Sequence, residues 1–478
     1  MARVSKRSFT FFRLSPAEQI NALCFGVEQG KILQRADVNF WRITPFIEEK
    51  LSHSIFPLEK IGNLVSTVQY GCSALASLEP IGVPILRMNN LQNDGWELSN
   101  LKYIQLTEDQ LNTYKLKIGD LVFNRTNSKE LVGKCEVFRE SGDWVFASYL
   151  IRVRTDEQKL NPQFASDFLN TFIGRLQIDR FSRQIIGMTN INAEEIKQIL
   201  LPLPPLSKQI ELVAAMDGAR SQRKQKLAEA DALLSSLDDY LLKTLGLESP
   251  VKDERKVFAI QISSISRRFD PHFHAPNFKN IYRLLSKTTT KKLGEIVQFS
   301  KDYWNPKDEE KLIFRYIEIS NVKPQTGEAI WTETLTKEAP SRARMLVHSD
   351  DIIVSLTRPH HGSIAHLSEE FDGCIASTGF AVIRSVSKLV NREYLWCILR
   401  SQLSLQQMLQ RASGGNYPAI TRSELENIII PIPEISIQEQ IVAEIQRRRS
   451  ESQRLRREVE TGWQAAKQWF EDQLLGGS

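Results

Sequence analysis

LPLPPLSKQIELVAAM, residues 201–216, and IPIPEISIQEQIVAEI, residues 430–445, are one stretch written twice. Superposed, Pro202 matches Pro431, Pro204 matches Pro433, Ser207 matches Ser436, Gln209 matches Gln438, and Val213-Ala214 matches Val442-Ala443. Proline has no amide proton to give to a sheet or a helix interior, so each copy begins as an extended connector. Ser207 and Ser436 then read as N-caps, accepting from the free N–H groups of a first helical turn. A long proline-free helical pattern follows each. The chain is therefore built from two similar halves, each closing by launching a long helix.

Working outward, the same order of short matches recurs upstream of both copies. Arg35-Ala36-Asp37 pairs with Arg268-Phe269-Asp270, and Ile61-Gly62-Asn63-Leu64-Val65 with Leu293-Gly294-Glu295-Ile296-Val297. Leu86-Arg87-Met88-Asn89-Asn90-Leu91 pairs with Ile317-Glu318-Ile319-Ser320-Asn321-Val322. Gly119-Asp120-Leu121-Val122-Phe123-Asn124 pairs with Asp350-Asp351-Ile352-Ile353-Val354-Ser355, and Ala147-Ser148 with Ala376-Ser377. An internal repeat of this length is a statement about architecture before any local propensity is weighed.

Within each half the pattern is short strands, then helix. Gly119-Asp120 is a turn before the apolar run Leu121 to Phe123, and Trp144 to Val153 is β-rich. Asn161-Pro162 opens a helix expected to carry Phe164, Phe168, Leu169 and Phe172 on one side; its counterpart opens at Asn391 with Leu395, Ile398, Leu399 and Leu403. The fold class is mixed α/β of the α+β kind. The long helices carry apolar residues at alternating spacings of three and four: Leu227, Ala230, Leu234, Leu237, Leu241 in one, and Ile441, Ile445, Leu455, Val459, Ala466, Phe470, Leu474 in the other. Such a stripe needs a partner, and two similar helices suit one another as an antiparallel, pseudo-twofold coiled coil. Arg448 and Ser452 interrupt the seam, and Trp463 sits one place off it.

Length and composition bound the rest. The 478 residues, 41% hydrophobic and 25% charged, suit two globular domains with connectors. A net charge of +5 permits nucleic-acid binding without requiring it. Cys24, Cys72, Cys135, Cys374 and Cys397 are scattered, with no CxxC pair, which reads as reduced thiols. No apolar run suits a signal peptide or a membrane span, so the expectation is a soluble, cytoplasmic protein. Ser15-Pro16-Ala17-Glu18 reads as a capping box opening a short helix through Cys24 in an N-terminal extension, residues 1–30.

Catalytic signatures are missing. There is no Walker GxxxxGK[ST], no GxGxxG after a strand, no GxSxG elbow, and no [DNS]PP[YF] tetrapeptide of amino-methyltransferases. His272, His274, His360 and His361 have no matching cysteine or carboxylate spacing, so no metal site is assigned. Basic and amide-rich loops are the stronger candidates. Asn124 to Lys129 follows one strand, and Thr357 to His361 follows its equivalent; Ser182 to Asn190 and Arg411 to Tyr417 form a second matched pair. Arg and Asn can pair with guanine and adenine edges, while Lys suits phosphates. Any one of these loops by itself reads as ordinary surface. Equivalent position in both halves, with divergent side chains, makes them candidate readers: Arg125, Asn127, Lys129, Arg183 and Asn190 in the first, Arg358, His360, His361, Arg411, Asn416 and Tyr417 in the second. The turns at Arg87, Asn89 and Asn90 and at Asn321 are added to them.

Two diverged repeats, each closed by a PxP connector, Ser-x-Gln and a long helix, resemble the specificity subunit of type I restriction–modification systems. The motifs that carry the resemblance are LPLPPLSKQIELV, IPIPEISIQEQIV and the Arg-x-Asp starts at Arg35 and Arg268. It implies target-recognition domains at 31–205 and 248–433, a central spacer helix at 206–247 and a terminal one at 434–478. It further implies that each domain reads one half of a split double-stranded DNA target while the paired helices set the gap. The implied partners are two methyltransferase subunits, which bind S-adenosylmethionine and methylate adenine. Two restriction subunits using ATP and Mg join where the system also cleaves. The chain itself would be non-catalytic and hold no cofactor. A complete restriction or methylation enzyme, a two-domain protein–protein scaffold without DNA specificity, and the specificity subunit of another methylase-linked defence system are the alternatives.

Overall fold

The computed structural model describes residues 37–92, 95–185, 188–248, 255, 257–260, 270–308 and 311–476. The N-terminal extension with its Ser15 capping box and Cys24, and the Arg35 and Arg268 starts, lie outside the described residues. Two compact units emerge: Met1–Gln225 with Glu458–Ser478, and Lys226–Arg457.

Each unit is built on the same four-stranded antiparallel sheet. In the first the order is Val65–Tyr70, Leu150–Thr155, Leu121–Asn124, Cys135–Val137; in the second it is Val297–Phe299, Phe380–Val386, Ile352–Ser355, Ile364–His366. The turn that opens the third strand explains one match in the repeat. Gly119 (φ +93°) and Asp350 (φ +70°) occupy the same left-handed position, which glycine takes freely and Asp tolerates. The next residue is a buried aspartate in both. Asp120 accepts from Lys117 N at 2.8 Å and from Arg154 Nε at 2.6 Å, and Asp351 accepts from His348 N at 2.8 Å and Arg384 Nε at 2.7 Å. A carboxylate this buried is tolerated because it is both paired and hydrogen-bonded.

A second, smaller sheet differs more between the units, being three-stranded in the first (Val145–Phe146, Val83–Leu86, Lys102–Ile104) and four-stranded in the second (Thr332–Leu335, Ile313–Ile317, Ile375–Ser377, Ala343–Leu346). The PxP connectors enter two-stranded ribbons. Leu200–Pro202 pairs with Leu58–Lys60, and Ile429–Pro431 with Thr290–Lys292, with proline confined to the strand end.

The single helix expected after Asn161 is two. Pro162–Leu169 ends before Asn170, and Phe172–Phe181 starts afresh under a Thr171 cap, leaving Phe172 exposed and not on the core face. Arg392–Leu399 and Gln402–Arg411 repeat the break. The N–H groups freed by the restart are met by carboxylates from the long helices. Glu471 accepts from Ile173 N at 2.8 Å in the first unit, and Asp238 from Gln402 N at 3.0 Å in the second. Burial raises the pKa of both carboxyls.

The long helices also start earlier than expected. They span Leu206–Ser235 and Ile435–Leu475, and their first bonds run from Gln209 N to Pro205 O and from Gln438 N to Glu434 O. Ser207 and Ser436 therefore lie inside the first turn and are not caps. Gln209 and Gln438 have the larger role. Both side chains are 0% exposed. Gln209 Oε1 accepts from Asn161 N at 2.8 Å, and its Nε2 donates to Lys159 O and Pro204 O, each at 2.9 Å. Gln438 does the same with Asn391 N at 2.8 Å, Leu389 O at 3.0 Å and Pro433 O at 2.8 Å. One amide fixes the connector and the N-cap of an earlier helix, Asn161 or Asn391, to the start of the long helix.

The central helix breaks at Ser236 and resumes as Leu237–Thr244, whereas the terminal helix is continuous. Within the second unit the two run antiparallel. Ser452, 1% exposed, donates to Ala230 O at 2.9 Å, and Arg448 donates to Ser236 Oγ at 2.8 Å while lying over the Tyr240 ring. The polar interruptions of the seam are thus partnered. In the first unit, Phe470 and Leu474 of the terminal helix join Leu212 and Met216 of the central helix in the core, with Phe470 5.5 Å from Phe164.

Candidate nucleic-acid interface

The matched loops come together in both units. In the first, Thr126-Asn127 forms a ladder with Met188–Asn190, which itself pairs with Arg183–Ile185. Thr126 Oγ1 donates to Asn190 Oδ1, and Ile191 N donates to Arg125 O at 3.0 Å. In the second, Thr357 and Ser413 both bridge Ala419, Ile420 N donates to Leu356 O at 2.9 Å, and Arg358 N to Pro418 O at 2.6 Å. Two loops some sixty residues apart in sequence, as with Arg358 and Asn416 (a separation of 58), therefore make one continuous patch at the same place in each repeat.

An arginine stacks on a tyrosine in each patch. Arg125 lies 4.8 Å from the centre of the Tyr70 ring and donates to Ser148 O at 3.3 Å. Arg358 lies 4.4 Å from the centre of Tyr417, which is 69% exposed, and donates to Asn416 O at 2.8 Å. Arg358 also holds a left-handed backbone, φ +47°, ψ +49°. A non-glycine residue there costs about 1–3 kcal/mol, and such strain persists where surrounding structure imposes it. Stacking restricts each guanidinium in advance, so fewer rotamers are lost when its fork meets an acceptor pair. His360 and His361 follow in the turn, ring centres 4.6 Å apart. Burial first, then the charges of His361, Arg358 and His272, lowers the His360 pKa and favours the neutral ring.

The other candidates are engaged differently. Arg183 is largely exposed and pairs with Glu195 at 3.2 Å; Lys129 is also exposed, 3.9 Å from Asp179. Asn127 Oδ1 accepts from Ser128 N at 2.9 Å, shaping its own turn. Asn416 and His361 are exposed on the second patch. Arg87 and Asn89 belong to the turn after Val83–Leu86 of the smaller sheet, where Asn89 is exposed and Arg87 donates to Asn100 O at 3.2 Å.

Three candidates have structural partners within the chain. Asn90, 2% exposed, accepts from Arg87 N at 3.0 Å and donates to Glu97 O at 2.9 Å. Asn321 makes the equivalent bond, accepting from Glu318 N at 3.0 Å. These asparagines close a 3₁₀ turn, and that is why they match across the repeat. Arg411 is committed to Tyr282 Oη at 2.7 Å and to Gln407 O at 3.2 Å, tying its helix to Pro276–Leu285. Sequence reading missed two residues in the first unit: Tyr70 and Tyr149 are exposed aromatics, Arg125 lies over the Tyr70 ring, and Tyr149 O accepts from Arg125 N at 3.1 Å. An exposed tyrosine ending a strand, next to Gly71, was the available signal.

The model of the type I restriction modification DNA specificity domain matches the chain twice, over residues 72–229 and 286–456. The chain belongs to this family. Both matches take in a loop pair or most of one and reach the long helices, and the protein is a type I restriction–modification specificity subunit. The putative type I restriction enzyme MjaX specificity subunit of Methanocaldococcus jannaschii is 22% identical over 400 residues, covering 80% of this chain and 84% of the relative. The EcoKI specificity subunit of Escherichia coli K12 is 25% identical over 202 residues, 42% of each chain. A solved chain from a study of assembly and conformational transition in the type I R-M system shares the fold. It has a TM-score of 0.50 and 14% identity, and covers 88% of this subunit and 98% of that chain. No helix among the described residues is long and apolar enough to cross a membrane.

If Arg358 reads a base edge, Arg358→Ala should weaken binding to the cognate half-site by about 1–3 kcal/mol and relax specificity there. Arg125→Ala should do the same at the other half-site. Competition titrations against single-base variants of the target check both. A loss equal for all sequences would make the contact one to phosphate.

Proposed function

We propose that this specificity subunit reads a bipartite DNA target, one half through each loop pair. The observation that carries the reading is the repetition of place with divergence of side chain: Arg125, Asn127, Lys129 and Arg183 in one patch, Arg358, His360, His361, Asn416 and Tyr417 in the other. Equivalent placement keeps the mode of approach to the duplex; divergent side chains let the two sequences differ. The target-recognition domains are assigned to residues 31–205 and 248–433, and the length of the long helices to setting the gap between half-sites. Tying two modest readers together raises selectivity through effective concentration.

On this reading two methyltransferase subunits dock on the long helices and bring S-adenosylmethionine to adenine. Restriction subunits with ATP and Mg join the same assembly where the system cleaves. The family's specificity chain contributes recognition, and the catalysis belongs to its partners. Exchanging residues 35–200 for those of a relative tests the division of labour. Base-resolved methylation mapping of cells carrying the hybrid and its methyltransferase should show one half-site changed and the other retained. A hybrid that alters both would mean that the domains read jointly.

A further inference from the structure

The repeat allows one half to be compared with the other as an internal control. In the first unit Arg220, on the central helix, pairs with Asp167 of Pro162–Leu169 and with Asp217. The alignment that matches Gln209 to Gln438 makes Arg449 the counterpart of Arg220. The alignment that matches Asn161 to Asn391 makes Cys397 the counterpart of Asp167. The arginine is kept and its carboxylate is replaced by a thiol.

Arg449 makes no hydrogen bond or ion pair among the described residues. Its guanidinium lies 4.1 Å from the centre of the Trp396 ring, and its Nε is buried without a partner. Burial lowers its pKa, opposed only in part by Cys397, Glu328 and Glu393, none of which it pairs with. The group lines a cavity of about 690 Å³ within the second unit, with Lys323, Glu328, Trp396, Gln453 and Arg456. The other lysine and arginine there are already paired, Lys323 with Glu328 at 3.1 Å and Arg456 with Asp231. Gln453 Nε2 adds a bond to Glu328 at 3.1 Å. The loop forming the cavity wall is held from behind by Arg400, which donates to Pro324 O at 3.0 Å and Gln325 O at 2.9 Å.

We infer that Arg449 is a receptor for a carboxylate, and that this cavity takes an Asp or Glu side chain of a partner protein. The incoming carboxylate would do between chains what Asp167 does for Arg220 within one. A guanidinium fork matches a carboxylate in two parallel bonds, and stacking on an indole presents that fork in one plane. The surroundings favour a protein carboxylate over a nucleic-acid phosphate. Glu328 and Glu370 line the same cavity, which opposes a polyanion more than a single carboxylate, and Trp396, Phe371 and Ala329 offer apolar surface to the flanking side chains.

The inference rests on the reading that the chain assembles with methyltransferase subunits, and the test separates the two. The full-length chain is titrated with its methyltransferase subunit without DNA. The variants are Arg449→Met, which removes the receptor, and Cys397→Asp, which supplies the carboxylate from within as in the first unit. Each variant should bind about tenfold more weakly or worse, the scale of one charge-assisted contact. Cys397→Asp should do so while raising the melting temperature, so it carries the test alone if Arg449→Met fails to fold. Wild-type affinity in a folded Cys397→Asp protein would overturn the inference and leave the assembly reading intact. Unchanged methyltransferase binding with weakened duplex DNA binding and a shallower salt dependence would identify the anion as phosphate and overturn it as well. A wild-type chain that does not bind the methyltransferase subunit would overturn the assembly reading itself, and this inference with it.

Discussion

Gln438→Ala should destabilise the second unit by about 3 kcal/mol, far more than Ser436→Ala on the same helix turn. The side chain is fully buried and uses all three of its principal hydrogen-bonding positions on backbone groups: one from Asn391 N, two to Leu389 O and Pro433 O. Removal leaves three backbone groups without their partners, each costing on the order of 1–3 kcal/mol if water cannot reach it. Partial hydration through the new space lowers that sum. Gln438→Glu should be no milder. It keeps the acceptor for Asn391 N, gives up both donations, and places an ionisable group where there is no cation to pair with among the residues it touches. Ser436→Ala is the contrasting control. Sequence logic gives it the cost of a lost N-cap, about 1 kcal/mol. In the structure Ser436 is exposed inside the first turn, so the expected change is below about 0.5 kcal/mol. Guanidinium unfolding monitored by hydrogen exchange at residues 389–395 reports on this unit directly. Equal effects of the two substitutions would show that the glutamine is not the fastener.

Arg220→Met should cost about 3 kcal/mol near pH 8, and the cost should shrink in acid. Asp167 is 5% exposed and receives bonds from Arg220 and from Gln163 Nε2 at 2.9 Å, while its Oδ2 has no partner. Burial raises its pKa from the ordinary 3.8 to about 6 even though Arg220 works the other way. A carboxyl with a raised folded pKa favours the fold when protonated. That contribution is complete below about pH 4 and is lost as the pH rises through about 6. Removing Arg220 withdraws the main group opposing the rise, so the folded pKa climbs further, and above it an ionised buried carboxylate is left without its cation. Below about pH 4 Asp167 is protonated in both proteins, and what remains is the lost packing and the interactions with Asp217 and Glu136. Unfolding free energies at pH 8 and pH 4.5 check the sign. A cost that is flat with pH would mean that Arg220 acts through packing alone.

The sequence by itself determined the repeat, and with it most of the architecture. Matched PxP connectors, the periodic stripe in the long helices and the paired positions of four loops follow from local rules: what proline forbids, what a 3.6-residue period implies, where a turn must fall. Those rules reach only a few residues along the chain. The identity of a buried polar group's partner does not lie within that range. Gln438 meets Asn391 across 47 residues, and Glu471 meets Ile173 across 298. Asn90 and Asn321 look like ready base readers in sequence, because an amide suits an adenine edge as well as it suits a turn. Only the tertiary structure shows both accepting from the turn's own backbone, at Arg87 N and Glu318 N, with Asn90 buried and Asn321 half-buried. The same holds for the terminal helix. Its apolar stripe shows that it needs a partner, but only the tertiary structure puts Phe470 and Leu474 into the core of the first unit, because an apolar surface is satisfied by any close-packed neighbour and the stripe does not name one.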